Sequence, residues 1–318
     1  MERQTFRNFR MVVTLAAVAL LASTIAQASD LERHLRDQYR GKILVLRGFY
    51  SGERLRFDSA GALAGGRDAG EWTIDGVVQV GDIHVSGQTL KIKAKRLMVV
   101  SSGRNGLHFS TEVASGQKTV KKAVVVVELE ARMDGEGTEE KANAILSRIF
   151  LTSQDNFAEA VPDFWRSCIA DGLSGKNESC RFSSEMAAVP GLSSPVAVTH
   201  SSVSPSEQNC PPACDTAATT SAGLFRVGHG VRPPRAIYQP EPEFSDPARK
   251  AKYQGTMTMG LIVDKDGHPQ SIHILSPLGA GLDAKAVKAV QNWKFQPAQK
   301  DGEPVAVQIA VEVDFHLY

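Results

Sequence analysis

Apolar and polar residues recur at different periods along this chain, and the changes of period divide it into segments. Residues 31–40 carry Leu31 and Leu35 on one helical face with Tyr39 close by. Short apolar runs follow at 43–46, 55–57, 72–74, 77–80 and 83–85, each read as a strand. Ser51-Gly52, Ser59-Ala60-Gly61, Asp75-Gly76, Gly81-Asp82 and Ser86-Gly87 lie between them as turn signals, the aspartate–glycine pairs supplying the positive φ that tight hairpins need. Residues 90–95 (Leu-Lys-Ile-Lys-Ala-Lys) alternate strictly, which predicts a strand with one buried and one solvated face. The solvated face would carry Lys91, Lys93 and Lys95. The β-branched run 124–127 predicts a strand buried on both faces. Together these elements make a small antiparallel sheet or partial barrel.

The period then lengthens. Residues 139–150 place Ala142, Ile145, Leu146 and Ile149 on one helical face, and 153–172 read as a second helix restarted near Pro162. These helices form an annex to the sheet, closing an N-terminal domain at 29–173. From 174 to 231 the chain is rich in Ser, Ala, Pro and Thr and shows no period, which predicts a flexible, disordered linker. As a free coil its r.m.s. reach would be about 40 Å.

Periodicity returns at 232–318. Ser245-Asp246-Pro247 caps and starts a short helix, ended by Gln254-Gly255. Met257, Met259, Leu261 and Val263 alternate along a strand, residues 264–267 turn, and Ile272 and Ile274 carry the return strand. Leu282, Ala286, Ala289, Val290 and Trp293 share a helical face. After the turn Asp301-Gly302 the last strand is apolar at Val305, Val307, Ile309, Val311, Val313, Phe315 and Leu317. The order is β-β-α-β with a three-stranded antiparallel sheet, and the whole chain is of the α+β class.

The N-terminus adds a compartment. Arg3, Arg7 and Arg10 precede an uncharged stretch, 11–26, that closes on Ala26-Gln27-Ala28, the small-x-small pattern of a signal peptide. A helix of about 16 residues spans roughly 24 Å, short of the ~30 Å hydrocarbon core. Export with cleavage after Ala28 is expected, with retention as a short membrane anchor the alternative. No lipobox cysteine is present near the site. In an oxidising compartment the cysteines Cys168, Cys180, Cys210 and Cys214 are disulfide candidates, with three connectivities open and local pairing preferred.

Candidate chemistry is sparse. Net charge is +1, so no nucleic-acid partner is expected. The eight histidines are scattered, and no triad, metal-ligand or phosphate-loop pattern occurs, so neither catalysis, a cofactor nor a metal is expected.

Pro247-Ala248-Arg249-Lys250-Ala251 followed by Gln254-Gly255-Thr256, Val263-Asp264-Lys265-Asp266-Gly267, and Leu282-Asp283 with Ala286 stand in order along the C-terminal segment. Trp293-Lys294-Phe295-Gln296-Pro297-Ala298 and Asp301-Gly302 follow. On these motifs the segment resembles the C-terminal domain of the TonB energy-transducer family. The resemblance implies a periplasmic protein that contacts outer-membrane TonB-dependent transporters by β-augmentation and transduces energy for uptake of siderophores or cobalamin. The transporter segment would add to the last strand, at Val305, Val307, Gln308, Ile309, Ala310, Val311, Val313 and Phe315. Pro240, Glu241, Pro242 and Phe244 match a second receptor-contacting stretch, although Ser245-Asp246-Pro247 replaces the family's aromatic-Pro start. An inner-membrane ExbB/ExbD-type complex is a further partner the family implies, and a homodimer stays open. The departures are an apolar N-terminus without His, a Ser/Ala-rich spacer and an extra N-terminal domain. They leave a soluble periplasmic interaction protein as the alternative.

Overall fold

The computed structural model describes residues 29–66, 69–111, 113–115, 118–120, 125–135, 137–192 and 224–317. The N-terminal apolar segment, Cys210, Cys214 and Val124 lie outside these residues.

Helix α1 (29–39) leads into a six-stranded sheet built from β1 (Ile43–Val45), β2 (Arg54–Phe57), β3 (Val77–Ser86), β4 (Thr89–Ser101), β5 (Leu107–Ser110) and β8 (Val126–Arg132). The order is β1-β3-β4-β8-β2, with β5 also on β4; β2 and β8 run parallel and the other pairs antiparallel. A separate short ladder joins β6 (Val113–Ser115) to β7 (Lys118–Val120). The alternation in β4 is as expected, with Leu90, Ile92 and Ala94 buried and Lys91, Lys93 and Lys95 exposed.

Three local readings are corrected. Residues 72–74 are not a strand but part of a one-turn helix, α2 (Trp72–Asp75), whose C-cap Gly76 sits at φ −78°. A short apolar run fits a buried helical turn as well as a strand, and here Trp72 is anchored between Phe157 and Trp165 in edge-to-face contacts at 5.3 and 5.0 Å. Gly81-Asp82 is not a turn either, because β3 runs through it with a bulge between Val80 and Asp82. Finally, β8 is buried on one face only: Val127 is inside, but Val126 is 50% exposed.

Helix α3 (Glu139–Ile149) is capped by Thr138 and buries Ala142, Ile145, Leu146 and Ile149, the expected face. The next helix is split into α4 (Phe157–Ala160) and α5 (Asp163–Leu173), with Pro162 at the N-cap of the second. Leu31 and Leu35 of α1 and the apolar stripe of α3 share one core with Leu90, Ile92, Val127 and Leu129 of the sheet.

Residues 174–192, assigned by composition to the linker, are packed. Cys180, Phe182, Met186, Val189 and Leu192 are buried there, helix α6 (Ser184–Ala187) forms, and Cys180 is disulfide-bonded to Cys168 with their Cα atoms 5.4 Å apart. The pairing ties this segment back onto α5. The linker reading of 193–223 falls outside the described residues.

The C-terminal module resumes with the short strands β9 (Phe225–Arg226), β10 (Val231–Arg232) and β11 (Arg235–Tyr238). Helix α7 (Asp246–Lys250) has Ser245 as N-cap, its Oγ accepting from the Ala248 N–H. Strands β12 (Gly255–Val263) and β13 (Pro269–Ser276) form the expected hairpin, and α8 (Leu282–Val290) crosses back. Strands β14 (Lys294–Gln296), β15 (Ala298–Lys300), β16 (Glu303–Val305) and β17 (Val307–Phe315) follow. The main sheet has the order β13-β12-β17-β9, that is, three antiparallel strands with a two-residue parallel strand added. Strand β11 pairs β14, and β10-β15-β16 form a second small sheet.

The two modules share one hydrophobic core. Met257, Met259, Leu261, Val290 and Phe315 of the C-terminal module belong to the same cluster as Val99, Val100, Trp72 and Ile169. Polar contacts knit the junction: the Ala280 N–H donates to Val99 O at 2.8 Å and the Ser101 N–H to Leu278 O at 2.8 Å. The Gly281 N–H donates to Thr73 Oγ1 at 2.9 Å. Tyr253 Oη reaches both Ser101 O and Leu278 O at 3.1 Å, and its burial pushes that phenol up to about 12. Gly279 has φ +82°, and a Cβ there would lie 2.2 Å from Val99 O, so only glycine allows this approach.

Candidate functional site

The last strand is shorter than its apolar pattern suggested. Val305 belongs to β16 and pairs with Ala298 in the β15–β16 hairpin, and β17 starts at Val307. Ala306 separates the two strands, so Val305 is buried in a neighbouring ladder and is not part of the edge. Along β17, Val307, Val313 and Phe315 are buried, Ile309 and Val311 half-buried, and Gln308, Ala310, Glu312 and Asp314 exposed. This is the alternation expected of a strand with one face on α8 and the core and the other face open.

Its two edges differ. One is fully used by β12, in unbroken antiparallel register from Gly255–Phe315 to Val263–Val307. The other meets only β9, at Val307–Phe225 and Gln308–Arg226. There the Phe225 N–H donates to Ala306 O at 2.9 Å. Backbone groups alternate sides along a strand, so Gln308, Ala310, Glu312 and Asp314 direct theirs to the same side as Ala306. Among the described residues no strand pairs with β17 beyond Gln308 on that side.

The opposite margin of the sheet, β13, is covered instead. Helix α5 packs along it, Asn177 Nδ2 donates to Leu275 O at 2.8 Å, and the disulfide-bonded Cys180 Sγ lies 3.5 Å from the same oxygen. The N-terminal module therefore closes one margin of the C-terminal sheet and leaves the other.

The second predicted stretch lies at the far end of β17. Phe244 packs edge-to-face on Phe315 with ring centroids 5.3 Å apart. Pro240 O accepts the Trp293 indole N–H at 3.2 Å, Glu241 is exposed and Pro242 half-buried. Neighbouring Glu243 pairs with Lys285 at 3.0 Å, and that ammonium holds the carboxyl below its usual range. The two predicted stretches are thus adjacent in space, but Phe244 is engaged with the strand it flanks.

A buried polar cluster at the module junction was not foreseen. Asp283, fully buried, accepts from the Leu278 and Gly279 N–H groups at 2.8 and 2.7 Å, yet burial still pushes its carboxyl up to about 7. Glu71 comes from the N-terminal module. It is half-buried as a residue, but its Oε1 is enclosed and without a hydrogen-bond partner. Burial first, then the nearby Asp283 and Asp75, push it up to about 8. Arg96, buried beside Asp75 at 3.6 Å, donates to Tyr50 O and Gly52 O at 2.8 and 2.7 Å and also to Asp75 O. No spacing in the sequence links positions 71, 96 and 283. Only the Leu282-Asp283 pair gave any signal.

Strands and helix thus follow in the order β12-β13-α8-β17, with buried Asp283 bonded at the helix start. Residues 240–317 match the family model of the Gram-negative bacterial TonB protein C-terminal. This segment is a TonB-type C-terminal domain. Protein TonB of Vibrio cholerae is 33% identical over 87 residues, which is 27% of this chain and 36% of that protein. Protein tonB2 of Pseudomonas aeruginosa is 32% identical over 82 residues, 26% of this chain and 30% of that one. The chain thus spans about a third of the length of these relatives. The solution structure of the Pseudomonas aeruginosa TonB C-terminal domain aligns with 29% of this chain and 90% of its own at 18% identity, with a TM-score of 0.23. The TonB-type domain is here joined to a folded N-terminal module through a shared core.

Proposed function

We propose that this chain is an extracytoplasmic binding protein whose TonB-type domain takes an extended segment of an outer-membrane transporter as an added strand along β17. The observation that carries the reading is the asymmetry of the sheet margins. The β13 margin is covered by α5 and the Asn177–Cys180 loop, while the β17 edge beyond Gln308 has no strand on it among the described residues. An open edge presents unpaired N–H and C=O groups that a partner strand satisfies. Half-exposed Ile309 and Val311 would be covered by the same event. The work is recognition, not bond chemistry, and the compartment is the periplasm.

The test is binding of peptides that match the plug-end segments of TonB-dependent transporters to the purified chain and to Ala310→Pro. Proline removes the outward N–H without touching the β12 ladder. Binding undiminished in Ala310→Pro would sink the reading.

A second reading is favoured by a different observation. The relatives' remaining two thirds are not matched, and a folded module docked on the TonB-type domain stands in this chain instead. On this reading the protein is a periplasmic adaptor that binds strands without transmitting energy from an ExbB/ExbD-type complex. The first reading keeps the energy transduction that the TonB family implies, and carbonate extraction of envelope membranes separates the two: release into the soluble fraction supports the adaptor, retention the transducer.

A further inference from the structure

The open face of the C-terminal sheet has a hollow beside the free edge. Register places His273, Gly260 and Ala310 in one row across β13, β12 and β17. Two adjacent positions of that row thus have almost no side chain, and a depression of about 490 Å³ lies over them. Its far wall is the His273 ring, which lies across Gly260 so closely that a Cβ there would meet Nε2 at 2.4 Å. The ring is held by Nδ1, 3.0 Å from Ser271 O.

Two further features point to a ligand. Leu275 and Val227, which line the hollow, are 37% and 44% exposed, and they are two of the large apolar side chains left at the surface among the described residues. The charged group on the rim is Arg226, and no acidic side chain lines the hollow. Apolar walls with a basic rim complement an apolar side chain that has a carboxylate near it.

The position of the hollow fits the strand site. Strand β9 ends at Arg226, opposite Gln308, so an added strand first pairs at Ala310. The cross-strand neighbour of Ala310 puts its side chain on the same face of the sheet as the Ala310 methyl. Strands lie about 4.8 Å apart, so a long side chain passes over Ala310 and meets the His273 ring that covers Gly260.

We infer that the Gly260–Ala310 hollow is a specificity pocket for one bulky apolar side chain of the strand that pairs with β17, in a partner segment that also carries a carboxylate facing Arg226. The inference rests on the strand-addition reading and adds to it the chemistry of the partner.

A phage library of random short linear peptides panned on the full chain tests it, with Ala310→Phe, Ala310→Pro and Arg226→Glu panned in parallel and circular dichroism confirming that each variant folds. Wild-type selections should share a bulky apolar residue at one position with an acidic residue close to it. In Ala310→Phe the pocket is filled, so that position should turn to small residues, and the wild-type peptides should bind about ten-fold more weakly. In Arg226→Glu the acidic preference should be lost. If Ala310→Pro fails to capture the peptides but Ala310→Phe keeps the wild-type preference, the pocket is overturned while strand addition stands. If Ala310→Pro captures them as well as wild type, or if no peptide is enriched on wild type, strand addition and pocket are overturned together.

Discussion

Replacing Glu71 by Gln should flatten the dependence of stability on pH. Glu71 reaches from the N-terminal module to a junction that also holds Asp283 and Asp75, and its carboxyl is pushed up from 4.5 to about 8. Between these two values the folded chain binds more protons at this site than the unfolded chain. Stability therefore falls as pH rises through that window and levels off above it. At 1.36 kcal/mol per pKa unit the full effect would be about 5 kcal/mol. The side chain is only half-buried, so solvent relaxation brings the expected loss to roughly 2 kcal/mol. Gln keeps the shape and cannot ionise. Urea unfolding at the acidic and alkaline ends of the window, on wild type and Glu71→Gln, measures the difference directly. Titrating groups that do not interact with Glu71 contribute equally to both proteins and cancel in the comparison. Wild type should lose about 2 kcal/mol more than the variant on going to alkaline pH. Equal losses would refute the claim that Glu71 is held neutral at the junction.

Asp283→Asn should destabilise most at acidic pH, by about 1–3 kcal/mol, because an amide cannot accept from both the Leu278 and Gly279 N–H groups. It should destabilise less as pH rises from 3.8 to about 7, the range over which wild type loses stability through its raised Asp283 carboxyl. Thermal melts across this window should show the Asp283→Asn deficit narrowing toward alkaline pH; a deficit that widens would refute the raised carboxyl. Ala310→Pro should unfold close to wild type, whereas Val311→Pro, whose N–H faces β12, should cost at least ~2 kcal/mol; equal melting temperatures would mean that the assigned edge direction is wrong. Replacing Cys168 and Cys180 together by Ser should cost about 3 kcal/mol, the worth of closing a loop of 12 residues, and should raise proteolysis first within 174–192. Protection of that segment unchanged by the loss would count against the disulfide holding it on α5.

Element types were largely readable because each has its own apolar period. The β4 alternation, the α3 stripe and the β12-β13-α8-β17 order of the TonB-type domain all follow from positions along the chain. Errors came where local signals are degenerate. The run at Trp72 is too short to separate strand from helical turn, and Val305 continues the parity of β17 while its backbone pairs in another ladder. Composition misassigned 174–192, since a segment poor in large apolar residues can still be fastened by Cys180, Phe182 and Met186.

By itself the sequence determined that the chain ends in a TonB-type domain and which strand face of β17 would be buried. Alternation fixes the face, the turn and cap residues fix the order of elements, and the family follows from the resemblance of the motifs these elements carry. Only the tertiary structure decided which edge of that sheet is open, because closing the β13 margin takes α5 and the Asn177 side chain from another module. It also decided that Glu71 of one module comes close to buried Asp283 of the other and that Gly260 and Ala310 adjoin across strands. These are long-range juxtapositions set by packing and register, and no spacing along the chain encodes them.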